Sequence, residues 1–218
     1  MKALLRIISF IKRPSSFSLL INVLLICDLA TADEILRYNL GTSGSSIPYE
    51  NAVDENRAGI LVEILPLIMD RAGIETEKVM LSTKRAMIAF KTGKLDFDFF
   101  SPSWLSDNEP AGDFTFSAPI LDITEYFITL PENRSRYPNV ASIYGETVGM
   151  ISGAASRYWS SIHGIDIALG PVHTQGKLAL RVHNRHKNKM PAINSAIAYL
   201  HQTGQIKQIL DKYSDFSL

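Results

Sequence analysis

The sequence contains one cysteine, Cys27, and it lies in a segment that reads as a removable leader. A mature chain without a thiol excludes a disulfide framework, a zinc-thiolate centre and a cysteine nucleophile. Net charge is lacking too, because 22 basic and 22 acidic residues cancel. The first 32 residues hold Lys2, Arg6, Lys12 and Arg13 against Asp28 alone, which leaves 18 basic and 21 acidic residues, a net of −3, in the remainder. A mildly acidic body offers no electrostatic footprint for nucleic acid. The apolar run from Phe17 to Leu29 is shorter than the ~20 residues a bilayer span needs. No Ser/His/Asp or paired-carboxylate constellation stands out, so the residues give no reason to expect an enzyme.

What is present points to an exported globular protein. Of 218 residues, 46% are hydrophobic, enough for one large domain or two small lobes. A basic region ending at Lys12-Arg13, the apolar run, and the small-x-small triplet Ala30-Thr31-Ala32 together read as a secretory signal peptide over residues 1–32. The competing readings are an uncleaved membrane anchor and, from Leu24-Leu25-Ile26-Cys27, a lipoprotein acceptor site.

Beyond the leader, Ile35 to Leu40 alternates as a first strand and ends in the small-residue loop Gly41 to Ser46, which includes Ser43. That loop is either a flexible turn or a ligand-facing one, and Tyr49 follows as an aromatic that could close over a bound molecule. Apolar residues at Ile60, Leu61, Ile64, Leu65, Ile68 and Met69 have helical spacing, with Gly73 as C-cap. Pro66 is tolerable there if the helix starts near Val62. Lys78 to Leu81 predicts a strand, and Ser82 or Thr83 caps a helix over 84–92 with Arg85 in its first turn and Met87, Ile88 and Phe90 inward. The short strand Leu95 to Phe100 then breaks into the loop carrying Ser101, Ser103 and Trp104. This alternation of strands and helices argues for a parallel α/β sheet with its ligand crevice at the carboxyl ends of the strands.

Each candidate has a plain alternative. Trp104 either stacks on a ligand or plugs the surface, and the two serines either donate hydrogen bonds to a solute or shape the turn. Ser152, Gly153 and Ala154 lead into a helix whose free amides could hold an anion, or form an ordinary helix start. His183 and His186 sit among Arg181, Arg185, Lys187 and Lys189, a cationic neighbourhood that reads as a solvated basic connector rather than a metal site. No metal or other cofactor is expected.

Four segments in order carry a resemblance: the loop after strand one, Gly59-Ile60-Leu61-Val62-Glu63-Ile64, Gly93-Lys94-Leu95-Asp96-Phe97-Asp98, and Phe116-Ser117-Ala118-Pro119. With Gly145 to Gly153 and the closing helix pair Ala192 to Tyr213, they make the chain resemble the extracellular solute-binding proteins of family 3, periplasmic receptors that feed amino acids and similar solutes to ABC importers. The resemblance implies a type II periplasmic-binding-protein-like α/β fold of two lobes joined by crossing strands and closing on a ligand. On that frame lobe 1 spans 33–120, lobe 2 spans 121–176, and 177–218 returns with the final helices. The implied protein is a periplasmic monomer whose partners are a small polar solute and an ABC importer permease. A ligand sensor without a transporter is the alternative reading, and an enzyme on the same fold a more distant one.

Two departures follow from the same comparison. The family's amino-acid binders place an arginine for the ligand carboxylate in the loop matching Ser101 to Pro110, where this chain has none; Arg85 or Arg157 would have to substitute, or the acids Asp107 and Glu109 suit a cationic or polyol solute. Between Ala168 and Leu178 there is no room for a further helix and strand, so the second lobe is expected to be reduced.

Overall fold

Alternating hydrophobicity builds a six-stranded mixed sheet, which a computed structural model describes over residues 34–40, 47–50, 55–105, 112–149 and 164–214. The strands are β1 (Leu36–Tyr38), β2 (Thr76–Lys78), β3 (Phe97–Phe100), β4 (Phe114–Phe116), β5 (Leu121–Thr129) and β6 (Ala168–His183). The helices are α1 (Ile60–Ala72), α2 (Thr83–Lys91), α3 (Met190–Gln202) and α4 (Gln205–Lys212). Sheet order is β2-β1-β3-β6-β4, with β5 paired to β6 off this path. Residues Ile35–Leu218 form one compact unit.

The sheet is not the parallel one that local alternation predicts. β1 pairs in parallel with β2 and β3, but β6 enters antiparallel between β3 and β4. The returning strand comes from some 80 residues downstream of β3, beyond the reach of any local pattern. β6 is one continuous strand with two sets of partners: its first part pairs with β5 as far as Leu178, and Ala179 to His183 pair with β3 and β4. The segment between Ala168 and Leu178 that is too short for a helix is therefore strand throughout.

Strand alternation divides the sheet into two faces. Phe97, Leu180 and Val182 face the layer of α1, α3 and α4, where Ile64, Leu65, Ile68, Ile193, Ile197 and Leu200 complete the main core. On the opposite face Ala89 and Phe90 of α2 pack with Leu95, Val79 and Phe114 in a small second core. Met87 and Ile88 point outward at 55% and 56% exposure, contrary to the inward assignment, because only one narrow stripe of so short a helix reaches the sheet. α1 begins at Ile60 rather than Val62, so Pro66 lies inside the helix, on its exposed side. α1 ends at Gly73, whose φ of 65° is the left-handed C-cap conformation.

The second face carries the buried charges. Asp98 on β3 stands directly opposite Arg181 on β6, which grips it with Nε at 3.0 Å from Oδ1 and Nη2 at 2.6 Å from Oδ2. The same guanidinium lies over Phe100 at 3.8 Å and Phe90 at 4.3 Å from the ring centroids. Asp96, just before β3, accepts hydrogen bonds from the Arg37 amide at 2.7 Å and from Arg185, and its Oδ1 is 2.8 Å from His186 Nε2. The basic connector is thus not a solvated one: His186 is buried at 1% exposure, and His183 binds the carbonyls of Phe90 and Asp113. The two imidazoles serve different partners and do not converge.

Burial alone would push the Asp96 carboxyl up, but the hydrogen bonds from Arg185, the Arg37 amide and His186, with the Arg185 charge, hold it at about 2 against an ordinary 3.8. A carboxyl depressed on folding stabilises the fold above its unfolded pKa, and that contribution is lost as pH falls toward its folded pKa. Stability from Asp96 should be fully present above about pH 4 and fall by about 1–2 kcal/mol by pH 2. Urea denaturation at pH 5, 4, 3 and 2 checks this. An Asp96→Asn variant, weaker at pH 5, should lose less over the acid range, and an equal loss would refute the assignment.

Candidate functional site

The crossing of β1 to β2 by way of α1, and of β2 back to β3 by way of α2, sends successive connections to opposite faces of the sheet. A crevice opens where the order reverses, outside the carboxyl ends of β1 and β3. A cavity of about 390 Å³ lies there, within the usual range for small-molecule sites. Its walls are Tyr49 and Glu50 before α1, Phe99 at the end of β3, Trp104 in the following turn, and Glu125 and Tyr126 of β5. Leu61, Ile123 and Leu178 form apolar lining.

Each wall is held by its own backbone. The α1 amino terminus anchors the Tyr49 segment, with the Ile60 amide donating to the Pro48 carbonyl at 2.9 Å and the Leu61 amide to the Tyr49 carbonyl at 3.0 Å. Pro102–Trp104 forms a 3₁₀ turn capped by Ser101, whose Oγ accepts from the Ser103 amide at 3.3 Å and lies 2.7 Å from Ser103 Oγ. Both hydroxyls press on Gly176 of β6, where an added Cβ would come within 2.3 Å of Ser103 Oγ. Trp104 stands edge-on to Phe100 at 5.3 Å and donates from Nε1 to Glu125 Oε2 at 3.1 Å. On β5 the register against β6 shifts between Glu125 and Tyr126. Ile123 to Tyr126 line the cavity in succession, with Ile123 and Glu125 at the inward phase of the strand and Tyr126 at the exposed phase, 42% open to solvent.

The electrostatics of the cavity come from its acids. Glu50 and Glu125 line it, and no lysine, arginine or histidine does among the described residues. Burial, and then the nearby charge of Glu125, push the Tyr49 phenol above its ordinary pKa, so it stays a neutral hydroxyl.

Of the residues singled out in the sequence, the structure brings Tyr49 and Trp104 together on this cavity. Ser101 is wholly buried beneath the turn, and neither it nor Ser103 is part of the lining. Arg85 is exposed on α2, away from the lining. Ser43, Ser152, Gly153 and Ala154 lie outside the described residues, as do Asp107, Glu109 and Arg157. Sequence reading passed over Phe99, Glu50, Glu125 and Tyr126. The one signal available was Glu125 itself, a charge at the inward phase of the strand started by Leu121 and Ile123.

The sequence model of the bacterial extracellular solute-binding proteins, family 3, matches residues 38–216. The chain belongs to this family. Comparison with curated proteins gives no match. Among solved structures, a mutant of ArgBP from T. maritima is similar over 82% of this chain and 95% of its own, at 17% identity and a TM-score of 0.61. A histidine kinase sensor domain with similarity to periplasmic binding proteins is similar over 83% and 96%, at 15% identity and a TM-score of 0.61. The GluR0 ligand-binding core from Nostoc punctiforme, in complex with L-glutamate, is similar over 84% and 100%, at 16% identity and a TM-score of 0.60. At such identities it is the fold that is shared, and the fold of this family member is the α/β type of the periplasmic binding proteins. The family and these neighbours are binding proteins rather than enzymes, and a solute-binding role follows from membership.

Proposed function

We propose that this family 3 protein is exported by way of residues 1–32 and captures a small polar solute bearing a positive charge, in the cavity between Tyr49, Trp104 and Glu125. The observation that carries this reading is the make-up of the walls: four aromatic rings and two carboxylates around about 390 Å³. Aromatic faces and a half-buried carboxylate attract a cation together, and each gains strength as water leaves. With no basic group in the described lining, the family's grip on a ligand carboxylate is not reproduced there, which favours an amine or guanidine over an ordinary α-amino acid. Trp104 gives Glu125 a neutral donor, leaving the second carboxylate oxygen to accept from the solute.

Lobe 1 over 33–120 and lobe 2 over 121–176 would close on the solute about the continuous strand β6, with 177–218 completing lobe 1. Closure goes only as far as the solute contacts both sides. Delivery to an ABC importer permease by a monomeric protein is the role this supports. Sensing without transport is the second reading, and a permease that takes up the solute only when the protein is present would decide between them.

A thermal-shift and calorimetric panel of amino acids, polyamines, sugars and organic acids tests the reading. Amines should raise the melting temperature, and Glu125→Gln should weaken their binding by roughly 10–100-fold while leaving the unliganded melting temperature within a degree or two. A silent panel would overturn solute capture. Tight binding of an anionic solute, unaffected by Glu125→Gln, would overturn the charge assignment alone.

A further inference from the structure

The charges outside the cavity are segregated. Between Lys78 and Leu95 there are five cations, Lys78, Lys84, Arg85, Lys91 and Lys94, and no acid. The other residues of the chain therefore carry 17 basic against 22 acidic groups, a net of −5. All five cations are exposed, and among the described residues none has a side-chain hydrogen bond or ion pair. Elsewhere several long cations are matched, Lys177 with Asp122, Lys207 with Asp211, Lys212 with Glu63 and Arg136 with Glu146, while Arg134, Lys187 and Lys189 are scattered single cations without such a partner among the described residues.

Apolar groups sit among these cations. Lys84, Met87, Ile88 and Lys91 follow the i, i+3, i+4, i+7 spacing, so they share one stripe of α2, opposite the Ala89 and Phe90 that it buries. Met87 and Ile88 are more than half exposed, and Met80, just before the helix, is 67% exposed. The stripe is thus cation, apolar, apolar, cation along one exposed face of the helix.

We propose that the outward face of α2 docks this protein onto the surface of an anionic phospholipid bilayer. Lysine stems can lie along the hydrocarbon boundary with their ammonium groups at headgroup level, while Met87 and Ile88 enter between headgroups. Clustered cations on an amphipathic helix are attracted to acidic headgroups, and the acidic remainder of the molecule turns away from them. A folded protein partner would need a shaped counter-surface, whereas a fluid headgroup layer adapts to a short convex helix. The face lies on the opposite side of the sheet from α1, so docking leaves the solute cavity open.

Flotation of the full-length protein with vesicles of phosphatidylcholine alone, and of phosphatidylcholine with about a third phosphatidylglycerol, tests this. Residues 1–33 are common to every variant, so differences between variants report α2. The wild type should favour the anionic vesicles and lose that preference in high salt. Lys84→Gln, Arg85→Gln and Lys91→Gln together should cut anionic partitioning roughly a hundredfold with an unchanged melting temperature. Removing the same charge elsewhere, by Lys177→Gln, Lys187→Gln and Lys207→Gln, should change it by less than about threefold. Met87→Ser with Ile88→Ser should weaken binding to anionic vesicles while keeping its salt dependence. Equal losses from the two triple variants would reduce the effect to net charge and overturn the proposal. Indifference to vesicles alongside retention on an acidic polypeptide would overturn it in favour of a protein surface.

Discussion

Replacing Gly59 with alanine should lower the melting temperature by about 10 °C or more, a loss of roughly 3–5 kcal/mol. Gly59 sits at φ 120°, immediately before α1, in backbone space that side chains rarely enter. An added Cβ would come within 2.4 Å of the Tyr49 carbonyl oxygen and 2.7 Å of the Glu50 Cα, and both are backbone atoms that cannot rotate aside. The same amide donates to the Tyr213 hydroxyl at 2.9 Å, which also bonds Glu63. Burial and the Glu63 contact push that phenol up to about 12, so it remains a donor throughout the physiological range. One position therefore ties the cavity wall, the start of α1 and the carboxyl-terminal segment together. Gly73→Ala is the matched control: its φ is also positive, at 65°, but no atom lies within 4 Å of the added carbon. Circular-dichroism melts should show a loss of only about 1–2 kcal/mol there. Equal losses at the two sites would mean that the close approach to Tyr49 contributes nothing. Where Gly59→Ala still folds, it should also bind the cavity's solute more weakly, because Tyr49 and Glu50 must shift.

Arg181→Met should cost about 3–5 kcal/mol, although methionine fills much of the same space. The loss has two sources. The half-buried Asp98 carboxylate loses its two-pronged partner, and the ring faces of Phe90, Phe100 and Phe114 lose the cation packed over them. Arg181→Lys should recover less than half of this, since an ammonium cannot fork to both oxygens and stack at once. Pairing Arg181→Met with Asp98→Asn should give a double variant more stable than the sum of the single effects predicts, by more than about 1 kcal/mol. Urea denaturation of the four proteins measures that coupling, and strict additivity would show the pair to be independent. The effect should spread to the cavity, because β3 delivers Phe99 to its wall.

Much of the first half was legible in the chain. The apolar spacing of α1 identified all six of its buried residues, and Ser82, Thr92 and Gly93 marked the limits of α2 to within a residue. Tyr49 and Trp104 could be picked out because aromatic side chains beside small-residue turns have few core positions open to them. The same logic failed for Met87 and Ile88, since a nine-residue helix covers too little sheet to bury every apolar side chain it carries. It failed again for Ser101, where a hydroxyl in a promising loop turned out to cap its own turn. Asp96 and Asp98 sit in a short apolar strand segment that says nothing of what pairs with them. Their partners, Arg185, His186 and Arg181, lie more than 80 residues away, and no local pattern could announce them.

By itself the sequence determined the helices of the first half and the kinship to solute-binding proteins, because helix periodicity, residue type and motif order are properties of short stretches. Tertiary structure alone decided that β6 pairs with β5 along its first part and with β3 and β4 along its last, that Tyr49, Trp104 and Glu125 line one cavity, and that Asp96 and Asp98 are neutralised by Arg185, His186 and Arg181 from far along the chain. Strand pairing and charge neutralisation depend on which distant residues meet, and a linear pattern does not carry that information.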